Sequence, residues 1–287
     1  MKTIGITLGD QAGVGPEIIE AALASIDKPD GVQFKVLGQR LEGVELGKPT
    51  PETARAALDA LEEGAQKLKV GAIDAIVTGP VAKEGLHELG FDFPGQTEFF
   101  AERLDCNSHA MCLTGANLTV ALVTIHVPLS QVPLLLSTAE IVRVGKLLAQ
   151  FCLQKGIDSP RVAVCGLNPH AGENGAFGHE DTEIVAPAVF QLNQDFLNAE
   201  FSGPHSADTV FGHAVKGEYD AVLCMYHDQG LIPLKLVDFD TGVNMTLGLK
   251  RPRTSPDHGT AFAIAGKGIA SSRSMEHAIR LACDLVL

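Results

Sequence analysis

Short apolar runs rich in β-branched residues alternate along the chain with longer stretches in which apolar residues recur every three or four positions. The runs at 3–8 (TIGITL), 34–37 (FKVL), 73–78 (IDAIVT), 118–125 (LTVALVTI), 161–165 (RVAVC) and 220–226 (DAVLCMY) are predicted strands. They are almost wholly apolar instead of alternating, the pattern of strands covered on both faces. Between them, residues 52–69 place Ala54, Ala57, Leu58, Leu61, Ala65 and Leu68 on one helical face, and residues 138–155 do the same with Ile141, Val144, Leu148 and Phe151. Ser137 followed by Glu140 predicts a capping box at the start of that second helix, and Gly156 its stop. Further helices are predicted at 207–216 and 272–286. The alternation implies an α/β fold with a mainly parallel sheet flanked by helices. No internal repeat, low-complexity tract or Pro/Ser-rich linker interrupts it, so any domain boundary must be crossed by strands or tight turns.

The chain has 287 residues, a length that suits one large α/β unit or two domains at about 150 residues each. Hydrophobic residues at 45% against charged ones at 20% exclude disorder as the main state. No run reaches the ~18 consecutive apolar residues of a membrane span. The start MKTIGITLGD lacks the long apolar region and cleavage site of a signal peptide, so a cytoplasmic protein with no membrane partner is expected. The balance of 22 basic to 35 acidic residues, formally −13, argues against nucleic acid as a partner. It also means that an anionic ligand must be drawn in by local cations. The six cysteines form no C-x-x-C pair and sit mostly in apolar segments, as buried, reduced thiols do.

In open α/β sheets, ligands bind beyond the carboxyl ends of the strands, and the chemistry of this chain collects there. After the first strand comes Gly9-Asp10-Gln11-Ala12-Gly13-Val14-Gly15-Pro16-Glu17, where glycines allow close backbone approach and Pro16 and Glu17 suit a following helix start. The spacing matches neither G-x-G-x-x-G nor a Walker A loop, and a ligand-free tight turn explains it equally well. His126 follows the strand at 118–125, Asn168-Pro169-His170-Ala171-Gly172-Glu173 the one at 161–165, and His227-Asp228-Gln229-Gly230 the one at 220–226. One histidine at a strand end is usually structural, but three on separate apolar strands would meet at one sheet edge. Three neutral imidazoles with an open position suit a catalytic divalent cation such as Zn²⁺ or Co²⁺, with Asp228 and Glu173 available to orient the rings. Past His227 lie Lys235, Asn244 and Arg253, and cations gathered there in an acidic protein call for a bound phosphate or carboxylate. Asp257-His258-Gly259-Thr260-Ala261 forms a last Gly-centred loop.

Taken in order, these motifs, together with Pro94-Gly95-x-Thr97-Glu98 and Ala207-Asp208-Thr209, resemble the 4-hydroxythreonine-4-phosphate dehydrogenase (PdxA) family of pyridoxal-phosphate biosynthesis. The opening and closing motifs also resemble isopropylmalate and isocitrate dehydrogenases, which bind NAD(P) without a Rossmann fingerprint. The resemblance implies an isocitrate/isopropylmalate dehydrogenase-like α/β fold, with two α/β/α subdomains and the active site in the cleft between them. Residues 1–105 and 245–287 would form the discontinuous subdomain carrying the NAD loops, and 106–244 the one carrying the metal ligands and dimer contacts. It implies His126, His170 and His227 as metal ligands for Zn, Co or Mg. Gln96, Thr97, Lys235, Asn244 and Arg253 would bind the substrate, with Lys235 and Asp228 as catalytic residues. Asp257, His258, Gly259 and Thr260 would bind NAD or NADP. A homodimer with a shared active site is also implied.

The implied reaction is oxidation of 4-hydroxy-L-threonine 4-phosphate, or a related phosphorylated hydroxy acid, followed by decarboxylation. Two positions depart from the family pattern: Gln96 stands where His is usual and Gln11 where Pro is usual. The chain is also shorter than most relatives, the missing residues falling before Gly71. These departures bear on the substrate, for which threonate and erythronate phosphates or another hydroxy acid are alternatives. A metal-dependent lyase or aldolase without NAD, and a non-catalytic phospho-ligand sensor, are the competing readings of the same residues.

Overall fold

The structure is a computed structural model and describes residues 1–287. Its strands are β1 (Lys2–Thr7), β2 (Val32–Leu37), β3 (Ala75–Thr78), β4 (Ala110–Thr114), β5 (Thr119–Leu122), β6 (Arg161–Cys165), β7 (Glu200–His205), β8 (Ala221–Cys224), β9 (Val243–Leu247) and β10 (Arg253–Pro256). Its helices are α1 (Gly15–Ser25), α2 (Pro51–Val70), α3 (Lys83–His87), α4 (Gln96–Arg103), α5 (Val132–Leu135), α6 (Thr138–Gln154), α7 (Ala186–Asp195), α8 (Ala207–Val215), α9 (His227–Val237) and α10 (Arg273–Asp284). No helix is long and apolar enough to cross a membrane. Contacts divide the chain into two compact units, one made of Met1–Asn107 with Asp240–Leu287 and the other of Ser108–Phe239.

In the discontinuous unit the strand order is β2-β1-β3-β10-β9. β1 lies parallel to β2 and β3, and β3 parallel to β10, while β9 runs antiparallel to β10. Ile4, Ile6, Ile76 and Val77 are fully buried, and Leu61 and Leu68 of α2 pack with Phe99 and Phe100 of α4 into the same core. That helix pair is also pinned from outside. Arg103 donates through Nε and Nη2 to the Glu62 carboxylate, and its guanidinium lies 4.9 Å from the Phe99 ring. A bidentate ion pair resting on an aromatic face is among the more durable surface contacts. Thr50 caps α2 with a reciprocal pair of bonds to Thr53, and Pro51 occupies the first turn.

In the contiguous unit the order is β4-β5-β8-β6-β7. β5, β8, β6 and β7 are parallel neighbours, and β4 runs antiparallel to β5. Ser137 Oγ accepts from Glu140 N as expected, but the return bond of a full capping box does not form. Arg143 takes the Glu140 carboxylate instead and holds its pKa below the usual range.

The sheet is more mixed than the apolar runs predicted. All six predicted strands form, those at 73–78, 118–125 and 220–226 shortened to Ala75–Thr78, Thr119–Leu122 and Ala221–Cys224. β4, β7, β9, β10 and the helices α3, α4, α5, α7 and α9 are additions. Five of the six cysteines are buried and none is bonded to another.

Candidate active site

β5, β8 and β6 are adjacent and parallel, so the segments carrying His126, His227 and His170 leave from one edge of the contiguous unit's sheet. The His126 and His227 rings lie 5.8 Å apart at an interplanar angle of 44°. Both line a cavity of about 290 Å³ together with Tyr226, Asp228 and the apolar side chains of Val127 and Leu129. His227 is the first residue of α9, and its Nδ1 is 2.7 Å from Asp228 Oδ1. A carboxylate on one ring nitrogen fixes the tautomer and leaves the other as the ligating atom, the usual arrangement behind a metal-binding histidine.

The backbone beneath these rings is cross-tied. Val123 N and Thr124 N donate to the Cys224 and Met225 carbonyls, and Thr124 Oγ1 also donates to Met225 O at 2.8 Å. The buried Gln229 side chain accepts from Met225 N and donates to Gly166 O, both at 2.7 Å. The ends of β5, β8 and β6 are thus held in one hydrogen-bonded net. Gln229 stood in the His227 motif without a role; its amide, with one acceptor and donors on a single group, is what bridges two backbone strands.

His170 does not join the pair. It is exposed in the turn Pro169–Gly175, where His170, Ala171, Gly172, Glu173 and Asn174 have φ of 52°, 51°, 78°, 42° and 55°. Its ring packs 6.1 Å from Phe177. No group of three or more His, Cys, Asp or Glu side chains converges in one copy of the chain. The expectation that the sheet edge alone gathers three imidazoles therefore holds for two, because a left-handed turn carries the third. Asp228 orients a ring as expected, while Glu173 stands exposed on the His170 turn. The nitrogen donors present fit Zn²⁺ or Co²⁺; Mg²⁺ prefers oxygen ligands.

In the discontinuous unit, Arg253 is 2% exposed at the start of β10. Its Nη2 donates to Thr78 Oγ1 at 2.7 Å and Gln96 Oε1 at 2.8 Å, its Nη1 to Asn244 Oδ1 at 3.2 Å, and its Nε to Thr78 Oγ1 at 3.2 Å. Every one of these acceptors is uncharged. Burial pushes the guanidinium pKa down to about 9, against the opposing pull of Glu98. A buried cation surrounded by neutral oxygens is short of an anion. The structure brings Gln96, Asn244 and Arg253 together, and Thr78 joins them, a polar ending on the apolar run of β3 that the sequence pattern left unused. Thr97 is buried on α4, its hydroxyl 3.3 Å from that of Thr246. Lys235 stands in the last turn of α9, half-buried.

The two Gly-rich motifs meet within the same unit. Val14 N donates to Thr260 O at 2.9 Å, and a Cβ on Gly13 would lie 2.6 Å from that oxygen. Only glycine permits this approach. Asp10 Oδ1 accepts from Ala12 N, and Asp257 N donates to Ser274 Oγ, fixing both ends of the loop pair. His258 Nδ1 is 3.0 Å from Gly259 O, while its Nε2 is buried without a hydrogen-bond partner, the kind of atom that a bound nucleotide satisfies. Gln11 donates to Gln39 O and accepts from Leu41 N, so its side chain clamps the neighbouring loop.

Residues 10–282 match the model of the pyridoxal phosphate biosynthetic protein PdxA. A 4-hydroxythreonine-4-phosphate dehydrogenase of Erythrobacter litoralis is 41% identical, the match covering 98% of this chain and 96% of the relative. The crystal structure of the Klebsiella pneumoniae 4-hydroxythreonine-4-phosphate dehydrogenase superposes with a TM-score of 0.82 at 35% identity, covering 100% of both chains. At the level of fold alone, isocitrate dehydrogenase from Methylococcus capsulatus superposes with a TM-score of 0.55 at 16% identity, over 99% of this chain and 88% of that one.

Proposed function

Because the chain belongs to the PdxA family of pyridoxal phosphate biosynthetic proteins, we propose that it is a 4-hydroxythreonine-4-phosphate dehydrogenase that uses NAD or NADP and a divalent cation. The oxidised product is a β-keto acid that loses CO₂. The observation that supports this best is Arg253, a buried guanidinium held only by neutral oxygens. It matches the need of a phosphorylated substrate for a nearby cation. Gln96, Asn244 and Thr78 take four of the fork's five N–H groups and hold it in place, leaving one on Nη1 for the substrate, and Lys235 supplies a second cation for the substrate's other anionic group. His126 and His227, with His170, hold the cation, and Asp228 keeps the His227 ring in its ligating tautomer. The Asp257–Thr260 loop against Gly13 seats the nucleotide. When bound, the cation supplies Lewis-acid stabilisation of the developing alkoxide and the nicotinamide accepts the hydride.

The enzyme works as a homodimer in this reading. The contiguous unit leaves Leu134 and Leu236 more than four-fifths exposed, with Leu129, beside the histidine pair, Ile232 and Phe239 at 66–73%. A set of exposed large apolar side chains this size suits an interface, and a second copy is the partner that would bring another His170. Sedimentation at assay concentration is expected to give a dimer; a fully active monomer would contradict it.

The direct test is nucleotide reduction, followed by absorbance, with 4-hydroxythreonine, threonate and erythronate phosphates. Turnover without nucleotide would indicate a lyase, and binding without turnover a sensor. Gln96→His belongs in the same assay. Neutral His can accept from Arg253, and protonated His adds a second cation beside the phosphate site. The expected gain in kcat/KM for 4-hydroxythreonine 4-phosphate is up to about tenfold, the scale of one added charge-assisted bond, and is larger at mildly acidic pH. A loss with that substrate, paired with better wild-type turnover of threonate or erythronate phosphate, would move the assignment to those acids.

A further inference from the structure

The turn that carries His170 is unusual, since five consecutive residues occupy left-handed backbone, four of them not glycine. A non-glycine residue in that region is strained, so something must hold the segment. The holder is a side chain that no motif in the sequence singled out. Asp181, fully buried, lies after the turn in the segment that leads into α7. Its Oδ1 accepts from Leu167 N at 2.6 Å and its Oδ2 from Asn168 N at 3.0 Å. The space around it is cleared by glycine on both flanks of the histidine. A Cβ on Gly166 would lie 2.9 Å from Asp181 Oδ1, and one on Gly172 would lie 3.3 Å from its Cβ and Oδ2. Next to it, Glu180 Oε2 accepts from Asn168 Nδ2 at 2.8 Å. Through Gly166 O the same strand end is gripped from the other side by Gln229.

We propose that Asp181 is the positioning residue of the His170 turn. By receiving the two backbone N–H groups that precede Pro169, it fixes the left-handed turn that carries the His170 imidazole, the ligand that a second copy of the chain would bring to the His126–His227 pair. The proposal rests on the reading of His170 as a ligand. Two backbone N–H groups on one carboxylate are charge-assisted bonds in a dry site. A turn held by bonds within the chain does not have to be ordered by the cation.

The test uses the full-length protein and Co²⁺ alone as the probe. In the wild type without metal, the amides of Leu167 and Asn168 are expected to exchange slowly, and adding Co²⁺ is expected to change them little. Fast exchange of both in the metal-free wild type overturns the proposal without any variant. Asp181→Asn keeps the shape and one acceptor oxygen, while Asp181→Ala removes both. Exchange at these two amides should accelerate in the order Ala, Asn, wild type. Co²⁺ affinity, read from its visible absorption, should fall by about 10- to 100-fold in the same order. A merely structural role would lower the melting temperature and leave Co²⁺ affinity unchanged in folded Asp181→Asn, and that result overturns the positioning role. His170→Ala serves as the separate control. If it leaves Co²⁺ affinity intact, the ligand reading fails, whereas the hold of Asp181 on the turn is still judged by the two amides.

Discussion

His170→Ala is expected to abolish stoichiometric divalent-cation binding and to lower kcat/KM by about 1,000-fold or more, while the melting temperature moves by no more than about 2 °C. The first part follows from removing one of three imidazole ligands. The Lewis-acid contribution is worth several kcal/mol, and each 1.36 kcal/mol is a factor of ten. The second follows from its place: the ring is exposed on a turn and packs against Phe177, itself half exposed. Metal analysis of the purified variant beside a thermal melt checks both parts. Unchanged metal content would remove His170 from the ligand set, and loss of the fold would show that the turn carries stability which its exposure does not suggest.

Arg253→Met is expected to separate activity from stability. Losing the fork should lower kcat/KM for a phosphorylated substrate by about 100-fold, the upper range for a charge-assisted contact at a buried site. Yet the same guanidinium is buried with no carboxylate bonded to it, and burial pulls its pKa down to about 9. The folded chain therefore bears a desolvation cost that the unfolded chain does not. A methionine of similar length, packing against Phe100, removes that cost. The variant should melt at or above the wild-type temperature. Millimolar inorganic phosphate should raise the wild-type melting temperature and leave that of Arg253→Met unmoved. A variant with unchanged kcat/KM would place Arg253 outside the substrate site. One that melts far lower would mean that the bonds to Thr78, Asn244 and Gln96 outweigh the burial cost. Arg253→Lys, which keeps the charge and loses the fork, should fall between.

The elements legible in the sequence are those whose burial is apolar. The runs IGIT, AIVT, RVAVC and AVLC become buried strands because nothing polar competes for their faces. β9 and β10 escape the same reasoning, since VNMTL and RTSP bury Thr246, Arg253, Thr254 and Ser255. Their polar side chains are satisfied by one another and by neighbours such as Thr78 and Ala278 O, a compensation visible only after folding. α9 was hidden by Gly230 and Pro233, both poor helix residues. Tertiary packing overrides that propensity by burying Leu231 and Leu234. Among the chemical residues, His126 and His227 were legible because each follows a strand whose neighbour is parallel. His170 was legible as a residue but not in its geometry: a run of non-glycine residues in left-handed backbone has no local sequence signal, and the carboxylate that sustains it lies eleven positions away. The shape of the anion site was likewise closed to inspection, because Thr78, Gln96, Asn244 and Arg253 come together only through the β3, β10, β9 order of the sheet.

That order also sets a schedule for synthesis. β10 is hydrogen-bonded between β3 and β9, so the strand that finishes the discontinuous unit is made only after the whole of the contiguous unit. Residues 108–239 form a contiguous compact unit that is synthesised before β9 and β10. Domains fold as units during elongation, so the nascent chain holds a finished histidine-bearing unit while β3 still presents an unpaired edge. During that interval the anion cage does not exist, because two of its four walls, Asn244 and Arg253, have yet to be made. Synthesis of β9 and β10 thus converts an exposed strand edge and an incomplete binding site into their paired forms in a single step.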